Sequence, residues 1–127
     1  MTEPESGGPL LDPAAFVRLR EWGGDELLRK MIELFIQNTP ARMDQIRTGV
    51  TDGDADAIER GAHSLKSSCG NLGAEQTRAL AQRMETLGEE SRLDEARALL
   101  PELDTTYDAT LRAMIQARDR NVKEKTE

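Results

Sequence analysis

Apolar residues recur every three or four positions along most of the chain, which is typical of helices that bury one face. The pattern is clearest over residues 54–72, where the apolar positions are Ile58, Ala62, Leu65, Cys69 and Leu72. No stretch alternates apolar and polar residues over the length of a strand. The periodicity therefore predicts an all-α bundle.

Turn signals divide the first half of the chain into helices. Asp12-Pro13 predicts a helix start, with an aspartate N-cap and proline at the first position, and Gly23-Gly24 predicts its end. The inward-facing candidates of this short helix are Phe16, Leu19 and Trp22. Asp25 is the predicted cap of the next helix, whose apolar seam is Leu28, Met31, Leu34 and Phe35, followed by Met43, Ile46 and Val50. Because Pro40 interrupts the seam, one long kinked helix and two nearly collinear helices both fit, before a turn at residues 51–53.

The second half predicts three further helices. The central one runs from an Asp54 cap to about Leu72, and Gly73 is placed to close it in the left-handed conformation. Gly61 lies inside it at a cost of about 1 kcal/mol relative to alanine, for which a close helix crossing is one possible reason. The next helix begins near residues 74–75 with Thr77, Leu80, Met84 and Leu87 inward, and Gly88 to Ser91 is predicted to break it. The last helix starts at Asp94, with a local kink expected at Pro101 and an inward face of Ala96, Leu100, Leu103, Tyr107, Leu111 and Met114.

Composition narrows the function. The chain has 127 residues, which suits one small domain, and a formal net charge of −7, which argues against a nucleic-acid or anionic-membrane binder. Its single cysteine cannot form an internal disulfide, and no apolar run approaches the length of a membrane span. The acidic, Gly/Pro-rich N-terminus is unlike a signal peptide, so we expect a cytoplasmic protein.

A polar stripe lies beside the apolar face of the central helix, about 100° further round. It consists of Glu59, His63, Lys66, Ser67 and Gly70, and it contains the only histidine of the chain. A titratable nucleophile, a cation and small residues therefore share one face. This combination suits a reactive side chain that a large partner must be able to contact and beside which an anionic group must be stabilised.

Residues 62–74 read Ala-His-x-Leu-Lys-x-Ser-x-x-x-Leu-Gly-Ala, which resembles the signature of histidine phosphotransfer (HPt) domains of phosphorelays. The resemblance covers roughly residues 12–116. It implies an antiparallel up-down four-helix bundle with a short extra N-terminal helix. The bundle as a whole is expected to span residues 12–118. A disordered lead over residues 1–11 and a charged, fraying tail over residues 119–127 would flank the bundle. The chain departs from the family at Ser67, where glycine is usual, so its partner preference could differ.

The resemblance also implies roles for individual residues. His63 would accept a phosphoryl group on Nε2 from a receiver-domain aspartate and pass it to another receiver, Lys66 would stabilise the charge, and Glu85 would orient the imidazole. The partner-binding face would consist of Glu59, Ser67, Gly70, Arg78 and Gln82. Response-regulator receiver domains and hybrid histidine kinases would be the partners of a monomeric carrier that binds no metal and has no ATP site. The receiver would then supply the Mg²⁺.

Three other functions compete with this interpretation. A helical adaptor with an inert histidine remains open, and so does the histidine-bearing fragment of a chemotaxis-type or hybrid histidine kinase. A metal-carboxylate bundle would need Glu-x-x-His pairs on facing helices, and the chain has one histidine with Arg60 three residues before it. The sequence therefore does not supply the ligand pairs of a metal bundle.

Overall fold

The computed structural model describes the backbone of residues 9–126 and the side chains of residues 9–120. It contains four helices, α1 (Pro13–Asp52), α2 (Ala55–Asn71), α3 (Glu75–Glu89) and α4 (Leu93–Thr126), and no strand within the described backbone. The all-α prediction is confirmed. Most of the lead predicted to be disordered, residues 1–8, lies outside the described residues.

Helix α1 begins where the sequence predicts a start and is interrupted at the two glycines. The Asp12 carboxylate accepts a hydrogen bond from the Ala14 N–H, which caps the first turn. The backbone leaves the helical region at Gly23 and Gly24, and the φ of +73° at Gly24 favours glycine. From there α1 continues through Pro40 without a further break, so the seams on either side of this proline belong to one helix.

Two apolar residues of α1 were wrongly predicted to face the core. Trp22 is 71% exposed and Leu34 is 41% exposed. Because α1 breaks directly after Trp22, the helical period no longer determines whether this side chain faces the core. At Leu34, the core is filled instead by Ile32 and Phe35, which continue the spacing from Leu28 and leave Leu34 turned away from it.

Helix α2 packs between α1 and α3. Asp54 caps it as predicted, since its carboxylate accepts the Ala57 N–H at 3.1 Å. A methyl group at Gly61 would lie 3.0 Å from Ile46 and 3.2 Å from the carbonyl oxygen of Arg42, so this glycine permits a close crossing with α1. At its other end the left-handed Gly73 (φ +69°) closes the helix.

The break predicted at Gly88 to Ser91 is present, but it begins only after Glu89, so Gly88 itself does not end α3. The helix continues to Glu89, and Gly88 is buried within it. A Cβ at this position would meet α2 backbone, at 2.7 Å from the nitrogen of Glu59 and 3.0 Å from the carbonyl oxygen of Ala55. The glycine is therefore needed for close packing rather than for a turn.

Helix α4 packs against α1 and α3 and is joined to each by a buried hydroxyl pair. The Thr39 hydroxyl donates to the carbonyl oxygen of Phe35, so the Tyr107 hydroxyl donates to Thr39, at 2.9 Å. Thr77 and Thr110 form the second pair, at 2.8 Å. The helix continues through Pro101 to Thr126, so the charged segment from residue 119 is helical up to that point.

Candidate functional site

His63 projects outward from the middle of α2. Its neighbours Ala62 and Leu65 are fully buried, which turns the position between them away from the core. The His63 side chain is 63% exposed and is not covered by the chain's own side chains. A partner can therefore reach the imidazole.

Glu85 on α3 contacts the inner nitrogen of this imidazole. Its Oε2 lies 2.8 Å from His63 Nδ1, while the glutamate is only 8% exposed. A carboxylate can only accept, so Nδ1 carries the proton and Nε2 keeps its lone pair when the ring is neutral. The contact thus fixes both the tautomer and the angle of the ring.

The second oxygen of Glu85 is paired with Lys66. The ammonium nitrogen lies 2.6 Å from Glu85 Oε1 and donates to Gln82 Oε1 at 3.2 Å. Lys66 is 25% exposed, so its charge remains accessible at the surface beside the histidine. One carboxylate thus links a nucleophile and a cation that come from the same helix.

Opposing effects set the pKa of Glu85. Burial raises the pKa of this carboxyl, whereas the hydrogen bonds and charges of Lys66 and His63 lower it. The two partners prevail, and the pKa lies below the ordinary glutamate value. The carboxylate is therefore ionised at neutral pH and available to accept the imidazole proton.

Small residues continue the exposed surface along α2. Ser67 and Gly70 are both exposed, and a methyl group at Gly70 would meet only the Arg78 side chain at an ordinary 3.7 Å. Packing within the protein therefore does not require glycine at this position. Arg78 itself is paired with Glu75 on α3.

A shallow depression surrounds the imidazole on its other side. It is lined by Glu59, Arg60, His63, Ser64 and Glu85. Sequence reasoning placed Glu59 on this face but missed Arg60 and Ser64. Arg60 lies three residues before His63, so helical spacing could have identified it. In the structure its guanidinium pairs with Asp56 at 2.7 Å.

Other reactive chemistry is not assembled among the described side chains. Cys69 is fully buried, and burial raises the pKa of its thiol to about 12, which makes it an unreactive core residue. Within the described residues, His, Cys, Asp and Glu side chains form no cluster of three or more suited to a metal ion. In the same part of the chain, every helix is too short or too polar to cross a membrane.

The helical bundle, with its outward imidazole held from behind by a carboxylate, has the arrangement expected of a histidine phosphotransfer module. The family model of the Hpt domain matches residues 30–120, and the chain belongs to this family. Proteins of this family carry phosphoryl groups in phosphorelays, where they interact with receiver domains and kinases. Membership thus supports a histidine phosphotransfer role.

Solved structures support the same fold. The chain is similar to the crystal structure of histidine-containing phosphotransfer protein B (HptB) from Pseudomonas aeruginosa PAO1, with a TM-score of 0.82. The two sequences are 24% identical, and the match covers 90% of this chain and 98% of that one. No curated protein matches the sequence significantly.

Proposed function

We propose that His63 accepts a phosphoryl group from the aspartate of one receiver domain and passes it to the aspartate of another. The observation that carries this proposal is the imidazole itself, because the His63 side chain is 63% exposed while its Nδ1 is hydrogen-bonded to the buried Glu85 carboxylate. The exposed Nε2 is thereby left unprotonated and facing solvent.

The transfer step follows from this arrangement. The Nε2 lone pair attacks phosphorus, the bond from phosphorus to the aspartyl oxygen breaks, and the aspartate leaves as a carboxylate. The imidazole then carries both the new N–P bond and the Nδ1 proton, and therefore a positive charge. Glu85, 2.8 Å from Nδ1, balances that charge, and attack by a second receiver aspartate on phosphorus reverses the step.

The neighbouring residues would assist by charge and by small size. Lys66 would stabilise the transferring phosphoryl group, because its ammonium is held beside the imidazole by Glu85 and Gln82. Ser67 and Gly70 would let the receiver approach closely, and Glu59, Arg78 and Gln82 would rim the contact. The Mg²⁺ that phosphoryl transfer requires would come with the receiver.

The finer architecture and the cellular setting belong to the same proposal. An antiparallel bundle is supported by the α2–α3 seam, where Glu59 opposes Gly88 and His63, further along α2, opposes the earlier Glu85. The break at Gly23 and Gly24 supports residues 13–22 as a short extra N-terminal helix. We infer a monomeric cytoplasmic carrier without an ATP site, served by hybrid kinases and response regulators.

Phosphotransfer from a labelled receiver tests the proposal. A ³²P-labelled receiver domain with Mg²⁺ should transfer label to the protein, and the adduct should be acid-labile and alkali-stable, as expected of phosphohistidine. His63→Gln should take up no label, and label that persists in this variant would rule the assignment out. Self-labelling by ATP alone would favour the kinase-fragment alternative, and unchanged function in His63→Gln would favour the adaptor.

A further inference from the structure

The seam between α2 and α3 contains one position where the two backbones leave no room for a side chain. At Gly88, a Cβ would lie 2.7 Å from the nitrogen and 3.0 Å from the Cα of Glu59, and 3.0 Å from the carbonyl oxygen of Ala55. All three atoms belong to the α2 backbone, so rotation of a side chain cannot relieve the overlap. The closest of them is about 0.7 Å short of the 3.4 Å at which ordinary contact begins.

This contact lies one helical turn from the functional pair on both helices. Glu59 precedes His63 by four residues on α2, and Gly88 follows Glu85 by three on α3. The distance between the helices at Gly88 therefore also sets how far the Glu85 carboxylate must reach. At the present separation the reach is sufficient, with 2.8 Å between Oε2 and Nδ1.

We propose that Gly88 is a positioning residue for the phosphotransfer histidine, because it holds α3 close enough for Glu85 to fix the tautomer of His63. The inference rests on the proposed function for its consequence in phosphotransfer, whereas the positioning itself can be measured without any partner. If α3 moved away from α2 by the whole overlap of about 0.7 Å along the direction of the His63–Glu85 hydrogen bond, the distance from Nδ1 to Oε2 would increase from 2.8 Å to about 3.5 Å. A hydrogen bond of that length is essentially lost.

Gly88→Ala tests this proposal, and nitrogen NMR of the histidine ring provides the readout. Because the chain has one histidine, ¹⁵N-histidine labelling gives a single unambiguous ring spectrum. We expect wild-type protein at neutral or higher pH to show the Nδ1–H tautomer. In Gly88→Ala the ratio of Nδ1–H to Nε2–H should fall by about tenfold or more, since a hydrogen bond to a charged acceptor is lost.

Gly49→Ala is the matched control, because it crowds α2 from the opposite side. A Cβ at Gly49 would lie 2.9 Å from Ile58 Cγ1 and 3.1 Å from the carbonyl oxygen of Asp54, at the contact with α1. This variant should lose stability yet keep the wild-type tautomer. A purely structural role of Gly88 would instead give both variants the same ring spectrum.

The outcomes separate this proposal from the proposed function. A folded Gly88→Ala with the wild-type tautomer overturns the positioning role, and so does a tautomer change of equal size in Gly49→Ala. If Gly88→Ala does not fold alone, trimethylamine N-oxide is added to restore it. Failure to fold even then, while Gly49→Ala folds, also overturns it, since Gly88 would serve the whole bundle. If wild-type His63 takes up no phosphoryl group, the proposed function fails and the ring spectra still decide the role of Gly88.

Discussion

Replacing Glu85 separates the two contacts that its carboxylate makes. Glu85→Ala removes the acceptor of the His63 Nδ1–H and the counter-charge of Lys66 together. Glu85→Gln keeps one oxygen that can accept from Nδ1, but it removes the charge and places an amide NH2, which cannot accept, beside Lys66. Phosphotransfer should therefore be fastest in the wild-type protein, slower in Glu85→Gln and slowest in Glu85→Ala.

The magnitudes follow from the exposure of the partners. Hydrogen bonds to charged groups contribute about 1.5–3 kcal/mol when water is excluded. The His63 side chain is 63% exposed, so water can replace the carboxylate as its hydrogen-bond partner. Lys66 is only 25% exposed, so removing its counter-charge costs more stability than removing the acceptor of His63. We expect Glu85→Ala to lower the free energy of unfolding by about 1–2 kcal/mol and the transfer rate by about tenfold. For Glu85→Gln we expect about half that loss of stability and a twofold to threefold slower transfer.

Single-turnover transfer from a phosphorylated receiver measures the rates, and urea unfolding measures the stabilities. Glu89→Ala provides the control, because it removes the same charge from an exposed position one turn along α3. This variant should match the wild-type protein in both assays. A folded Glu85→Ala that transfers at the wild-type rate would refute the orienting role of the carboxylate.

Two further predictions concern stability. Gly73→Ala should lower the free energy of unfolding, measured in urea, by at least about 1 kcal/mol more than Gly53→Ala does. Both glycines have left-handed φ values, but a Cβ at Gly73 would also lie 2.8 Å from Ala15 Cβ. Equal losses of stability in the two variants would contradict this prediction. Because the pKa of Glu85 is lower in the folded state, the unfolded state binds more protons, and stability should fall as the pH drops from about 6 to about 3. Glu85→Gln should show a shallower fall, and an unchanged slope would contradict the linkage.

Local chemistry explains why much of the fold could be predicted from the sequence. An aspartate cap, a helical period and a left-handed glycine each act within a few residues, and Asp54, the apolar stripe of α2 and Gly73 behave as predicted. The outward position of His63 follows from the same stripe, since its neighbour Ala62 is buried.

The features that sequence reasoning missed depend on what lies across an interface. A glycine near the end of a helical pattern gives the same signal whether it ends the helix or admits a neighbouring backbone, so the sequence located the break after α3 but not the packing role of Gly88. Trp22 fits the apolar period, but the break that follows it leaves the indole 71% exposed. The pairing of Lys66 with Glu85 depends on the rotation of α3 about its axis, which spacing along α2 does not encode.

The two buried hydroxyl pairs of α4 have a consequence for the opposite side of the molecule. Aliphatic contacts alone would tolerate a slip of one helix along its neighbours by a turn of about 5.4 Å. Such a slip would separate Tyr107 from Thr39 and Thr110 from Thr77, leaving hydroxyl groups unsatisfied in an apolar interior. Helix α4 thus keeps α1 and α3 in fixed register, and it preserves the geometry around an imidazole that it does not touch.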